Sequence, residues 1–375
     1  MNDMYSISKI EPVHEVESFL VAINDISMVL GYFESSQDGY GEQQGFIWQE
    51  GKTTSLGNMY PRSINNSGEV AGYMLDLKTG FYYACIHRGS GIERAEVDKT
   101  VSSFGMQIND SSQMLIHSID TRKLHVNNSK LSGSQAYVYH GGNTNWIRVS
   151  DQCRLGKPIA INNQCKVVGY IEHDENLLVP RTEAILWTGT ETIHLGRTII
   201  ADDSEAVAIN NNGIVLCHAT SNRSTETIQM TLLKKLQRIS LSSALPTTKE
   251  VTERMVEWIE KMTRDRLGSY RTNAPLQSFI WKNGNEHTLK PFEAGDISSN
   301  VIAASINDKG QVVGAIETPG KGSVACLWYD GETCNLNRMI QSNGWFLENA
   351  ISINNQGQII GSGIHEGNKS LFILS

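Results

Sequence analysis

Apolar stretches of four to eight residues recur along the chain. Each is rich in β-branched or aromatic side chains and bounded by Gly, Asn, Asp or Ser. That is the pattern of strands joined by turns. One layout repeats. An apolar stretch ends in Ile-Asn, as in Pro61-Arg62-Ser63-Ile64-Asn65, and is followed by Asn or Asp, a variable residue and often Gly. A second stretch ends in Gly-Tyr or a relative, such as Val70-Ala71-Gly72-Tyr73. After a loop of variable length comes a third, such as Gly45-Phe46-Ile47-Trp48, Ala184-Ile185-Leu186-Trp187 or Ser278-Phe279-Ile280-Trp281. A tight turn leads to a fourth, such as Thr53-Thr54-Ser55-Leu56-Gly57. Each unit therefore predicts a four-stranded antiparallel meander.

The Ile-Asn-(Asn/Asp) motif starts at Ile23, Ile64, Ile108, Ile161, Ile209, Ile306 and Ile353, with spacings of 41, 44, 53, 48, 97 and 47 residues. A four-stranded sheet cannot bury both faces alone, and radial packing of such units makes a propeller. The residue before each Ile is Ala22, Ser63, Gln107, Ala160, Ala208, Ser305 or Ser352, six of them small, as convergence of inner strands on an axis requires. Gly68, Gly213, Gly310 and Gly357 stand where the first turn needs positive φ, and Ser27, Ser112 and Cys165 replace that Gly elsewhere. Gly80 reads as an ordinary loop glycine. The chain opens on an outer-type strand, Tyr5–Ile10, and stops on a third-type strand, Leu371–Leu374. Their pairing would complete the last blade and close the ring.

The doubled spacing after Ile209 holds an irregular stretch, 222–275. Thr247 and Glu250 have capping-box spacing, and Val251, Met255, Trp258, Ile259 and Met262 recur at helical steps. The expectation is one domain, 1–375: a seven-bladed all-β propeller closed by its N-terminal strand, with 222–275 as a helical insertion between strands two and three of blade five. The alternative is eight units, with 231–241 supplying strands.

The run Ile-Asn-Asn-x-Gly-x-Val-Val-Gly-Tyr, with Ala-Phe-Ile-Trp-x-x-Gly and Thr-x-x-Leu-Gly after it, resembles the HAF-type repeats described as probable extracellular repeats. The resemblance covers nearly the whole chain outside 222–275. It implies a β-propeller-like repeat protein and carries no catalytic motif.

Net charge is −8 and pI near 5.7, which disfavours nucleic acid or an anionic membrane as partner. No apolar run reaches the ~18–20 residues of a spanning helix. Met1–Tyr5 lacks the basic and apolar regions of a signal peptide, so the expected location is cytoplasmic or reached without a cleavable signal. The six cysteines form no CxxC pair; Cys85, Cys217 and Cys326 read as buried thiols, and a Cys153–Cys165 disulfide has nothing to support it. No Walker-type loop, HExxH, GxSxG or EF-hand loop is present. No catalytic set, metal or cofactor is expected.

The loops between strands two and three vary most, and alternating strand direction puts them on one face with the blade connections. The residue after the strand-two glycine points there too: Tyr32, Tyr73, His117, Tyr170, His218, Ala315 and Ser362. Tyr32, Tyr73, His117, Tyr170 and His218, with Met255, Trp258 and Met262 of the insertion, are the candidate binding residues. Tyrosines packed between blades are the plainer reading of the ring. His117 and His218 could be a titrating or metal-binding pair, or repeat drift. Asp202-Asp203-Ser204-Glu205 reads as a solvated acidic turn or a weak cation site. The leading expectation is a monomeric, non-enzymatic binding or scaffold protein for a protein or glycan partner. Alternatives are a hydrolase or lyase with its site at the channel mouth, and a secreted or surface repeat protein.

Overall fold

The computed structural model describes residues 4–11, 17–35, 42–89, 91–98, 101–119, 134–147, 154–173, 181–195, 203–220, 276–293, 295–341 and 343–375. Twenty-eight strands lie within them, as seven four-stranded antiparallel sheets. After β1 (Ile7–Ile10), blade 1 is β2 (Ser18–Ile23), β3 (Val29–Ser35), β4 (Glu42–Gln49) and β5 (Lys52–Ser55). Blade 2 is β6 (Tyr60–Ile64), β7 (Val70–Leu75), β8 (Tyr82–Arg88) and β9 (Gly91–Arg94). Blade 3 is β10 (Ser102–Ile108), β11 (Met114–Ile119), β12 (Ser134–His140) and β13 (Asn143–Ile147). Blade 4 is β14 (Arg154–Ile161), β15 (Val167–His173), β16 (Arg181–Trp187) and β17 (Thr192–His194). Blade 5 is β18 (Asp203–Ile209), β19 (Val215–Thr220), β20 (Leu276–Lys282) and β21 (Asn285–Thr288). Blade 6 is β22 (Asn300–Ile306), β23 (Val312–Thr318), β24 (Gly322–Tyr329) and β25 (Glu332–Asn335). Blade 7 is β26 (Trp345–Ile353), β27 (Ile359–His365) and β28 (Asn368–Leu374), with β1 antiparallel to β28 from Ile7↔Leu374 to Ile10↔Leu371.

The protein is a seven-bladed β-propeller; seven sheets, not eight, account for the described strands. The interval 221–275 falls between β19 and β20, strands two and three of blade 5. The predicted helix, with Met255, Trp258 and Met262, lies outside the described residues, as does the 231–241 stretch.

Seven apolar clusters hold the fold, one at every blade interface. The one between blades 7 and 1 joins Ile10, Ile360 and Ile373 to Leu20, Val29, Phe46 and Trp48. Each large aliphatic side chain so buried contributes about 1.5–3 kcal/mol. The β-period supplies this in the inner strands, where one side faces the preceding blade and the other the following blade; the outer strands, such as Lys52–Ser55 and Asn285–Thr288, are polar and largely exposed.

Every first strand carries a β-bulge just before the residue that precedes Ile, as between Leu20 and Ala22 or Pro61 and Ser63. The bulge pushes the inner strand against strand two and explains the glycine of Gly-Tyr. A Cβ on Gly72 would sit 2.2 Å from the Tyr60 carbonyl, and one on Gly169 would sit 2.1 Å from the Lys157 carbonyl. In blade 3 that glycine is Ile116, opposite Gly105, and in blade 5 it is Cys217, opposite Ala206. A Cβ on Gly105 would sit 2.4 Å from the Gly72 carbonyl, so the backbones of blades 2 and 3 meet closely there.

The first turns behave as expected. Gly68, Gly213, Gly310 and Gly357 have φ of +76°, +77°, +78° and +89°, and Ser27, Ser112 and Cys165 adopt the same turn at +61°, +58° and +59°. Gly80, expected to be unremarkable, also has positive φ, +73°, because its N–H closes onto the Asp76 carbonyl.

Candidate functional site

Antiparallel alternation gives the ring two unlike faces. One bears the turns after Ile-Asn; the other bears the loops between strands two and three and the blade connections.

On the turn face the seven motif asparagines, each 3–4% exposed, form a closed circle. The Nδ2 of Asn24 donates to the Asn65 carbonyl, Asn65 to Asn109, then Asn162, Asn210, Asn307, Asn354 and back to Asn24, at 2.9–3.1 Å. The Oδ1 of the same residue accepts two N–H groups of its own turn, as Asn65 does from Ser67 and Glu69. A carboxylate accepts but cannot donate, so Asp cannot replace this Asn. The next residue makes a second circle: its N–H donates to the Oδ1 of the neighbouring blade's equivalent, at 2.7–2.9 Å around all seven. In ring order these are Asp25, Asn66, Asp110, Asn163, Asn211, Asp308 and Asn355, with no two Asp adjacent. Each Asp Oδ2 accepts from the amides on both sides, for instance Asp25 from Asn66 and Asn355 at 2.9 and 3.1 Å. Seven positions allow at most three non-adjacent Asp, and the chain holds three. The motif lines an axial cavity of about 170 Å³.

On the loop face, the predicted ring residues pair across the bulged strand with the position four before each Ile. Tyr32 faces Phe19, Tyr73 faces Tyr60, His117 faces Phe104, Tyr170 faces Lys157 and His218 faces Glu205. Ala315 faces Ile302 and Ser362 faces Asn349. The structure brings Tyr73 and His117 into one aromatic wall over blades 2 and 3, with a separate Phe19–Tyr32 stack on blade 1. Phe19 stacks on Tyr32 at 5.1 Å and Tyr60 on Tyr73 at 5.0 Å. Tyr82 meets Tyr60 and Tyr73 edge-on, and Tyr73 meets Phe104, whose ring lies 6.5 Å from His117. The hydroxyls of Tyr32 and Tyr73 are shifted up, first by burial, against the opposing charge of Arg62, which acts on both. Phe19, Tyr60, Tyr82 and Phe104 escaped the sequence reading, although their fixed offset from Ile-Asn was there to be read for three of them.

His117 and His218 have separate partners. His117 is buried and bonded to the Ser134 hydroxyl; burial, aided by the Lys157 charge, lowers it to about 4. The Nε2 of His218 donates to the Ala303 carbonyl of blade 6 at 2.8 Å, and its Nδ1 lies 3.6 Å from Glu205. That contact holds the Glu205 carboxyl below the usual range. Among the described residues no three His, Cys, Asp or Glu are placed to hold a metal ion. Of the acidic stretch, Asp203 accepts from the Thr182 N–H at 2.8 Å. Cys85, Cys217 and Cys326 are buried and Cys165 and Cys334 half-buried, all as free thiols; burial pushes the first three up, Cys85 to about 12.

A second cavity, of about 820 Å³, opens on the loop face between blades 7 and 1. Ile10, Leu20, Ile351, Leu371 and the Phe19–Tyr32 pair line it, with Lys9, Glu11, Glu17, Glu348 and Lys369 at its edges. Exposed apolar side chains are more numerous toward this face, with Leu75, Leu77, Trp146, Phe292, Ile297 and Phe346, than toward the other, with Met4, Ile26 and Ile92.

No protein-family model and no curated protein matches the chain. Solved structures do. The chain is similar to the β-propeller domain of the trilobed protease from Pyrococcus furiosus, described as having an open velcro topology. The TM-score is 0.59 at 10% identity, over 97% of this chain and 95% of that one. It is similar to the acylaminoacyl peptidase of Pyrococcus horikoshii, with TM-score 0.59 at 12% identity over 96% of this chain and 51% of that one. It is also similar to a puromycin-hydrolysing peptidase of Mycobacterium tuberculosis, with TM-score 0.50 at 7% identity over 93% and 50%. The chain thus spans about half the length of these two peptidases. At such identities the likeness shows the fold alone. Among the described residues no helix is long and apolar enough to cross a membrane.

Proposed function

We propose that this protein is a non-enzymatic binding module that recognises a protein or glycan partner with its loop face. The observation that carries the reading is the aromatic wall on blades 2 and 3: half-buried rings of Tyr73 and Tyr82 with Tyr60 and Phe104, and the Phe19–Tyr32 stack beside it on blade 1. Large rings fixed by their neighbours offer contact area at low entropic cost, as recognition surfaces do. The opposite face, by contrast, spends its polar groups on its own hydrogen-bond circles.

The reading extends to three features. The β1–β28 pairing acts as the clasp of the ring, the interval 222–275 is a helical insertion that enlarges the loop face, and the repeats belong with the HAF type. A glycan array and affinity capture with the purified chain, run beside the Tyr73→Ala/Tyr82→Ala double variant, test the central claim. Retention is expected to fall at least tenfold in the variant while its melting curve keeps a single cooperative transition. Unchanged retention refutes the loop-face reading.

A further inference from the structure

We propose that the axial channel, at the level of the β-bulges, takes a carboxylate carried on an apolar chain, and that Arg62 is the group that holds the carboxylate. The inference rests on the loop-face reading above and names what the axial end of that face accepts.

Each bulge puts one extra residue into an innermost strand: Val21, Arg62, Met106, Ile159, Val207, Ala304 and Ile351. The ladder leaves such a residue unpaired. All seven belong to the described residues, so the ring they make has no missing member. None is buried: Arg62 and Ala304 are exposed and the other five half-buried. Those five lean on the apolar clusters between blades. Only the axis lies beyond an innermost strand, so the remaining exposure of each is onto the channel. On the turn-face side of this ring stand the two hydrogen-bond circles; on the other side the channel leads to the loop face.

Six of the seven side chains are apolar, and Arg62 breaks the repeat. A guanidinium cannot shed its charge, so in an apolar ring it calls for an anion. Among the described residues Arg62 makes no ion pair and no stack on a ring. Its charge acts on the hydroxyls of Tyr32 and Tyr73 alike, which places it at the axial foot of the Phe19–Tyr32 stack and of the aromatic wall.

The neighbouring charges agree on the sign of the occupant. The inner strands of blades 2 to 4 hold no Asp or Glu. Lys157 stands across blade 3 from Arg62, and its charge reaches His117 and Glu205. Glu205 is engaged by His218 at 3.6 Å, and Glu34, which acts on Tyr32, accepts from Gln43 at 3.1 Å. Glu17, Glu348 and Lys369 belong to the blade 7–1 side. An anion is therefore drawn to the side of blades 2 to 4 although the whole chain carries −8. The carboxylate matches the guanidinium fork, and a hydrocarbon tail covers the apolar ring. A neutral sugar would leave the guanidinium unpaired, and an ammonium would meet it as repulsion. Two sources carry this chemistry: the free C-terminus of a peptide ending in apolar residues, and a free aliphatic acid.

The probes are a fluorescein-labelled hexapeptide, Gly-Ser-Gly-Ala-Leu-Leu, with a free C-terminal carboxylate, and octanoate. Their uncharged counterparts are the C-terminal amide and octanol. Fluorescence anisotropy and isothermal titration with the full chain are expected to show saturable binding of at least one carboxylate. It should be at least tenfold tighter than its uncharged counterpart and weaker at 0.5 M salt; whichever carboxylate binds identifies the source. Arg62→Gln should weaken binding at least tenfold and Arg62→Lys less than that. Lys157→Gln should weaken it about threefold, and Lys369→Gln, on blade 7, less than twofold. Circular dichroism melts establish that each variant is folded. Equal binding of charged and uncharged probes, insensitivity to Arg62→Gln, or no binding of either carboxylate to the folded chain overturns the proposal. Each of these leaves the loop-face reading standing where a glycan or protein partner still depends on Tyr73 and Tyr82. A partner insensitive to the Tyr73→Ala/Tyr82→Ala double variant removes that reading, whatever the carboxylates do.

Discussion

Replacing Asn66 by Asp changes one NH2 into one oxygen at the turn-face circle. The new side chain keeps its shape and the Oδ1 that accepts the Asp25 N–H at 2.8 Å. It loses the Nδ2 that donates to Asp25 at 2.9 Å and to Asp110 at 3.2 Å, and sets a carboxylate against both. At ~3 Å two charges repel by about 1.4 kcal/mol in water and about 5.5 kcal/mol at an effective dielectric of 20. Asp110 is exposed and Asp25 half-buried, so the repulsion lies near the low end rather than the high one. Two such repulsions, with two lost hydrogen bonds at about 0.5–1.5 kcal/mol each apart from the charge, predict a loss of about 4–6 kcal/mol. Asn163→Asp meets only Asp110, through one lost bond of 2.9 Å, and should cost about half as much. At ~2.1 cal/mol/K of unfolding entropy per residue, these are shifts of about 5–8 °C and 2–4 °C in Tm. Thermal and urea melts by circular dichroism read both. The difference should shrink in 1 M salt and as pH falls toward about 4, where the introduced carboxyl takes a proton. Equal losses in the two variants, or none for Asn66→Asp, would refute the non-adjacency rule.

Three further outcomes follow from the same structure. His117 is held neutral with its pKa lowered to about 4, so the unfolded chain binds the extra proton between pH 6.5 and 4; stability should fall through that window, by up to about 3 kcal/mol, and His117→Gln should flatten the slope in pH-dependent urea melts. Cys165→Gly should stabilise by about 1 kcal/mol by relieving a φ of +59°, whereas Gly68→Val, at +76° with the Met28 sulfur 3.3 Å from the new Cβ, should destabilise by more than Gly91→Val, which has neither constraint. If β1 is the clasp, deleting 1–11 removes the burial of Ile10 and exposes β28, lowering stability by several kcal/mol; an unchanged melt would leave closure to the interface core and the axial circles alone.

Much of the architecture was legible in the residues. Strands, turns and blade number follow from local chemistry repeated seven times: β-branched runs, Asn and Gly at turns, and small residues before Ile. Such signals survive in one dimension because each depends on neighbours within a few positions. The need for Gly105, whose Cβ would strike the Gly72 carbonyl, could not be seen that way, because the contact crosses from one blade to the next. The aromatic wall and the stack beside it were half legible: Tyr32, Tyr73 and His117 stood out by their place after the strand-two residue. Their partners Phe19, Tyr60 and Phe104 became a surface only when the bulge set their register. The motif asparagines read as turn formers, which they are through Oδ1. Their other half, Nδ2, reaches a carbonyl on the next blade, 41 to 330 residues away, and has no local signature. The cleft between blades 7 and 1 belongs wholly to the tertiary structure, since it exists only where the two ends of the chain are brought side by side. Turn and strand preferences are paid out locally by the backbone, whereas a circle of hydrogen bonds or a cleft is a relation among distant segments, and only the closed packing of seven blades creates it.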